Sequence, residues 1–254
     1  MSGVATLRVA LTLWILSLFP GAVIADEIRV AVASNFTHVI KAIAGRFESQ
    51  TGHQVTLSFG STGRHYAQIT NGAPFDLFFA ADAARPRRLE DERMAVPGSR
   101  FTYAVGKIVL WSPKEDFVDP AGEVLTRGEF RHLAMANPGL APYGRAAREI
   151  MEARGQWDSL KDDAVRGENI GQTFQFVRSG NAELGFVALS QVKRPGRPIE
   201  GSVWEVPQSL YAPIEQQAVL LKEGVAARGF LAFVRNEASL AIIRGFGYGT
   251  PHAE

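Results

Sequence analysis

Past residue 25 the chain repeats two apolar patterns in turn. Short runs rich in β-branched and aromatic residues occur at 28–33 (IRVAVA), 55–59, 77–80 (LFFA), 101–105, 108–111, 133–136, 184–189 (LGFVAL) and 218–221. Their lengths and the turn residues around them predict strands. Between them, apolar residues recur at helical spacing. Phe36, Val39, Ile40, Ile43, Ala44 and Phe47 define the face of a first helix, with Asn35 as N-cap and Gly52 as stop. Further helices are predicted over 64–71, from Asp82 through Leu89, over 145–154, beyond the turn at 168–171, and over 225–234 and 239–246.

Strand and helix alternate along most of the chain, so the fold class is α/β with mostly parallel sheets. Two extended passages, near 106–112 and 207–217, interrupt the alternation. A chain that leaves one lobe, builds a second and returns crosses a hinge twice. The expected division is therefore lobe 1 from 26–108 with 213–254, and lobe 2 from 109–212.

The first 25 residues differ from the rest. Arg8 is their only charge, 9–19 (VALTLWILSLF) is an apolar run of 11 residues, Pro20 and Gly21 follow, and Val23 and Ala25 suit a cleavage site. This reads as a secretory signal peptide, residues 1–25, which makes the expected location periplasmic. Eleven residues at about 1.5 Å each fall short of the ~30 Å hydrocarbon layer, so the run is no membrane span. Removing Arg8 from the 27 basic residues leaves 26 against 26 acidic ones. A neutral mature chain has no global field for nucleic acid or an acidic membrane, and any anion must be held by local geometry. The chain has no Cys, which excludes disulfides, thiolate chemistry and a lipid anchor on Cys. No long apolar surface element is left over, so a monomer is expected.

Four strand-to-helix turns carry small, hydroxylated or Gly residues: Ala33-Ser34-Asn35, Gly60-Ser61-Thr62-Gly63, Ala141-Pro142-Tyr143-Gly144 and Glu168-Asn169-Ile170-Gly171. Helix N-termini offer free N–H groups and the positive end of the dipole, so such turns bind anions without a charged side chain. Taken singly, each is ordinarily a cap or a turn.

Enzymatic signatures are sparse. Ser190 and Lys193 match S-x-x-K, but K-T-G and S-D-N are absent, and no G-x-S-x-G, H-E-x-x-H or P-loop occurs. The five His (38, 53, 65, 132 and 252) lack metal-ligand spacing and are expected to be solvated. No catalytic residue, cofactor or protein-ligated metal is therefore assigned. Asn35-Phe36-Thr37 matches a glycosylation sequon by coincidence. Arg85, Arg87 and Arg88 form a basic cluster, read either as a solvated helix face or as a contact for a partner protein.

The segments 31–53, 58–82, 97–113, 136–144 (ANPGLAPYG), 168–191 and 244–248 (RGFGY) together make the chain resemble the periplasmic molybdate-binding proteins of ABC transporters. The resemblance covers nearly all of the mature sequence. It implies a class II periplasmic-binding fold: two α/β lobes, a hinge, and an oxyanion in the cleft. It also implies a membrane permease as partner and molybdate or tungstate as ligand, with molybdenum or tungsten held only as the oxyanion. The implied donors are Ser34, Asn35, Thr62 with its neighbour Ser61, and Tyr143 and Ile170 through main-chain N–H groups. Another branch of the family has a Tyr where this chain has Ala188, and Asn35 is expected to replace that donor. Sulfate or phosphate remains the alternative ligand, and a serine-type hydrolase the remote one.

Overall fold

The computed structural model describes residues 25–249. Nearly all of the segment read as an export signal lies outside the described residues, as does His252. The chain begins with β1 (Glu27–Ala33), α1 (Thr37–Thr51), β2 (Gln54–Gly60), α2 (Thr62–Thr70), β3 (Leu77–Phe79), α3 (Ala84–Asp91) and β4 (Phe101–Gly106). It then crosses into a second sheet through β5 (Ile108–Ser112), α4 (Val124–Arg127), β6 (Leu133–Ala136), α5 (Pro142–Ala153), α6 (Trp157–Leu160), β7 (Val165–Gly167), α7 (Ile170–Arg178), β8 (Leu184–Ala188), α8 (Leu189–Val192) and β9 (Ser202–Glu205). It returns with β10 (Ile214–Leu220), α9 (Val225–Val234) and α10 (Glu237–Gly245).

The two sheets share one plan. The first runs β2-β1-β3-β10-β4 and the second β7-β6-β8-β5-β9. In each, one strand opposes the other four: β10 is antiparallel to β3 and β4, and β5 is antiparallel to β8 and β9. These two strands carry the chain back from and into the second lobe. The crossings run through Lys107 and through the segment between β9 and β10, so Ile108 belongs to the second sheet.

Each sheet has its own core, one around Val30, Phe36, Phe79 and Phe230 and one around Leu110, Met135, Ile150 and Phe186. Helix α1 buries Val39, Ile40, Ile43, Ala44 and Phe47 as its spacing predicts, and ends at Gly52 with φ 77°, the left-handed conformation that Gly adopts without strain. Full burial of a side chain such as Phe47 contributes about 1.5–3 kcal/mol.

Local differences from the sequence reading fall at helix starts, at the edge strands and at the start of β10, which begins at Ile214. Asn35 does not cap α1. Ser34, Asn35 and Phe36 form a 3-10 turn, and α1 begins at Thr37 with no side-chain cap. Helices α2 and α5 start earlier than apolar spacing indicated, at Thr62 and at Pro142, because Ser61 caps the first and a proline needs no N–H partner at a helix start. Strands β7 and β9 carried no usable apolar run, being short and at the sheet edge.

Candidate anion-binding site

Strand register brings the four turns together. In the first lobe Ala33 pairs with Gly60, so the turns after β1 and β2 leave the sheet side by side. In the second, Ala136 pairs with Gly167, which does the same for the turns entering α5 and α7. The two pairs face each other across the cleft. The Gly171 N–H donates to Ser34 Oγ at 3.0 Å, and the Gly63 N–H donates to the Leu140 carbonyl at 2.9 Å. Ser34, Asn35, Ser61, Thr62, Tyr143 and Ile170 are all buried in this closed arrangement. Gly144 permits the approach of α5 to β6, since a Cβ there would stand 2.3 Å from the Ala136 carbonyl oxygen.

The hydrogen bonds already made decide what each residue has left to offer. Ser34 Oγ accepts from Gly171, Ser61 Oγ accepts from the Arg64 N–H at 3.3 Å, and Thr62 Oγ1 accepts from the Ala81 N–H at 2.9 Å. A hydroxyl whose lone pair is engaged still has its proton to donate. In α7, Gly171 is taken by Ser34, Gln172 by the Asn169 side chain at 3.0 Å and Thr173 by the Asn169 carbonyl, which leaves the Ile170 N–H. In α5, Pro142 has no N–H, and Gly144 and Arg145 donate to the Ala141 carbonyl, which leaves the Tyr143 N–H. In α2, Gly63, Arg64 and His65 are engaged, which leaves the Thr62 N–H. The set is neutral and made of donors.

Asn35 stands differently. Its Nδ2 donates to Gln216 Oε1 at 2.8 Å and to the Tyr248 hydroxyl at 2.9 Å, and its Oδ1 has no hydrogen-bond partner among the described residues. The side-chain donors are thus engaged within the lobe, and the group Asn35 can present to an anion is its main-chain N–H.

Beneath the turns lies a buried polar layer. Gln216 Nε2 donates to the Tyr143 hydroxyl at 3.0 Å, the Tyr103 hydroxyl donates to Gln216 Oε1 at 2.9 Å, and the Tyr248 hydroxyl lies 2.9 Å from the Asn35 carbonyl. Burial pushes the pKa of Tyr103, Tyr143 and Tyr248 upward, so all three stay protonated. No charged side chain takes part in these contacts.

The pattern of the bacterial extracellular solute-binding protein family matches residues 28–249. The chain belongs to that family. As a solute-binding protein it is 50% identical over 228 residues to the molybdate-binding protein ModA of Azotobacter vinelandii, with 89% of this chain and 90% of the relative covered. It is 49% identical over 230 residues to ModA of Rhodobacter capsulatus, covering 89% of each. Its fold superimposes on the periplasmic molybdate-binding protein of A. vinelandii with a TM-score of 0.86 at 43% identity, over 89% of this chain and 100% of that one. The two-lobed binding-protein fold expected from the sequence is the fold observed.

Several residues of this solute-binding protein take roles that the sequence reading did not assign. Ser190, the S-x-x-K serine, donates its hydroxyl to the Asn35 carbonyl across the cleft at 2.9 Å, so it serves as a latch between lobes. Gln191 bridges the end of β8 to the start of α7: Oε1 accepts from the Ala188 N–H at 2.9 Å, and Nε2 donates to the Ile170 carbonyl at 3.0 Å. Ala188 itself offers no hydroxyl. His65 is buried rather than solvated, with Nε2 3.2 Å from the Val32 carbonyl and burial pushing its pKa down. Arg85 is not a free helix-face charge: it pairs with Asp82 at 2.5 Å and reaches the Gly139 carbonyl across the cleft at 3.4 Å. Asn35 is 2% exposed, which removes the sequon from consideration in the folded chain. A recess of about 310 Å³, lined by Asp82, Arg145, Glu149 and Glu215 among others, opens beside the cleft; its three carboxylates outnumber the one arginine and make it unfavourable for an anion.

Proposed function

We propose that this solute-binding protein captures molybdate or tungstate outside the cytoplasmic membrane and delivers it to the permease of an ABC transporter. The reading is carried by the closed, neutral, donor-bearing cleft between the two lobes. Ser34, Ser61 and Thr62 supply hydroxyl protons, and Asn35, Thr62, Tyr143 and Ile170 supply N–H groups. A fully deprotonated tetrahedral dianion needs donors at every oxygen and no acceptor. The groups named here serve as donors, so an oxyanion that must donate a proton gains less from them than a fully deprotonated one. Helix N-termini supply the compensating positive potential. Closure removes water and strengthens each contact. Sulfate has the same charge on shorter bonds, so discrimination against it is steric: in a cleft sized for the larger ion its hydrogen bonds lengthen and weaken.

Half-identical relatives named for molybdate binding support the choice of ion. The test is calorimetric titration of residues 26–254 with molybdate, tungstate, sulfate and phosphate in turn. One-to-one binding of the first two, with the others weak or silent, is expected. Tight sulfate or phosphate binding would overturn the ligand, and silence from all four would overturn the site.

A further inference from the structure

Gln216 lies at the centre of the buried layer, is 0% exposed, and has both ends of its amide engaged. Its Oε1 accepts from Asn35 Nδ2 at 2.8 Å and from the Tyr103 hydroxyl at 2.9 Å, both in the first lobe. Its Nε2 donates to the hydroxyl of Tyr143, at the start of α5 in the second lobe, at 3.0 Å. A neutral side chain with an acceptor at one end and a donor at the other is what this position requires, and only an amide supplies it at that length. The backbone assists. The pairing of β10 with β4 shifts register between Gln216 and Gln217, an irregularity of the kind that re-aims a side chain. Gln216 and Gln217 are both buried, as are 218–220 after them, because β10 lies inside the sheet with both faces covered. Gly106, across from Ile214 in that pairing, clears the space: a Cβ there would lie 2.3 Å from the Tyr143 hydroxyl and 2.5 Å from Gln216 Nε2.

We propose that Gln216 is a positioning residue that couples closure of the lobes to the geometry of the anion site, holding the Asn35 turn from below and locking the start of α5 through Tyr143. The inference rests on the oxyanion reading above. The bond from Gln216 to Tyr143 forms only when the lobes meet, whereas those to Asn35 and Tyr103 belong to one lobe and persist in both states. Asn35 also donates to Tyr248, and the Tyr103 hydroxyl lies 3.1 Å from the Ala80 carbonyl, so loss of Gln216 leaves neither donor without a partner. The ligand-free fold therefore tolerates the change, and the penalty falls on closure.

The experiment is a double-mutant cycle on residues 26–254, with Gln216→Met, Tyr143→Phe and the pair, read by molybdate titration and stopped-flow dissociation. Gln216→Met should weaken molybdate roughly 10- to 100-fold, mainly through faster dissociation, and cost little more once Tyr143 is Phe. Gln216→Glu places a buried carboxyl under a dianion, so its molybdate affinity should rise as pH falls from about 8 to about 6 while the unaltered chain stays flat over that range. Unchanged affinity in Gln216→Met, additive losses in the pair, or a flat pH profile in Gln216→Glu would each overturn the coupling. Absence of molybdate binding by the unaltered chain would instead overturn the reading of the site.

Discussion

Ser34 Oγ accepts the N–H of Gly171 at 3.0 Å across a sequence separation of 137 residues, and in doing so joins the end of β1 in one lobe to the start of α7 in the other. The same hydroxyl that closes the cleft is thereby turned into a donor for whatever the cleft holds. Ser34→Ala removes both functions. It should weaken molybdate binding by about 1.5–3 kcal/mol, the range for a hydrogen bond to a charged group, and small-angle scattering of the ligand-saturated protein should show a larger open fraction. Undiminished affinity would take Ser34 out of the site.

Thr62 separates the hydroxyl from the methyl group. Its Oγ1 accepts the Ala81 N–H at 2.9 Å in a fully buried setting. Thr62→Ser keeps that bond and the donor, so affinity should stay within a few-fold. Thr62→Ala deletes the donor and leaves the Ala81 N–H unsatisfied, so two measurements should move together. Molybdate affinity should fall by about 1–3 kcal/mol, and the melting temperature of the ligand-free protein should also drop. A melting change without an affinity change would make the Thr62 hydroxyl purely structural.

Gly106 tests closure by bulk. Its φ is not in the left-handed region, so Ala is acceptable to the backbone, but the added Cβ would stand 2.3 Å from the Tyr143 hydroxyl. That contact exists only when α5 of the second lobe meets β4 of the first. The same Cβ would stand 2.5 Å from Gln216 Nε2, so Gly106→Ala should hold the lobes apart and displace the Gln216 amide, lowering molybdate affinity while leaving the far-ultraviolet circular dichroism of the ligand-free chain unchanged. Wild-type affinity in this variant would show that Tyr143 need not approach Gly106 for binding.

How much of this was legible in the sequence depends on whether a feature is local. Strands β1, β3 and β8 announced themselves as apolar runs, and the helix-start turns as clusters of Ser, Thr, Asn and Gly, because both signals come from adjacent residues. The facing of those turns was not local. It follows from the register of Ala33 with Gly60 and of Ala136 with Gly167, which no single segment encodes. Asn35 looked like a cap because Asn before an apolar helix ordinarily is one, yet a 3-10 turn puts its side chain into the interior, where Gln216 and Tyr248 compete for it. Gln216 and Gln217 make the apolar run of β10 begin late, at Ala218, where the strand itself begins at Ile214. Two polar residues inside a strand were the available signal that the interior there is hydrogen-bonded rather than oily. His65 was hidden for the same reason: one polar residue on a short helix reads as exposed until Val32 and Gln68 are seen to hold it.

That buried histidine also sets a pH dependence. Burial pushes the His65 pKa below its ordinary value, outweighing the hydrogen bonds to Gln68 and Val32 that act the other way. His38, at an exposed position, shifts in the same direction, by partial desolvation first and then by the neighbouring charges of Arg194, Lys41 and Arg178. As pH falls through about 6.5, an unfolded histidine takes up a proton while the buried ring does not. The unfolded state then binds more protons, so folded stability is full above that pH and declines below it. Carboxylates with lowered pKa, such as Glu90 held by Arg100, respond only at lower pH. The melting temperature should therefore drop between about pH 7 and about pH 5, before the carboxylates titrate. In His65→Gln, which keeps a donor for the Val32 carbonyl but cannot titrate, that drop should shrink to the part contributed by His38. An equal drop in both proteins would show that His65 carries none of it.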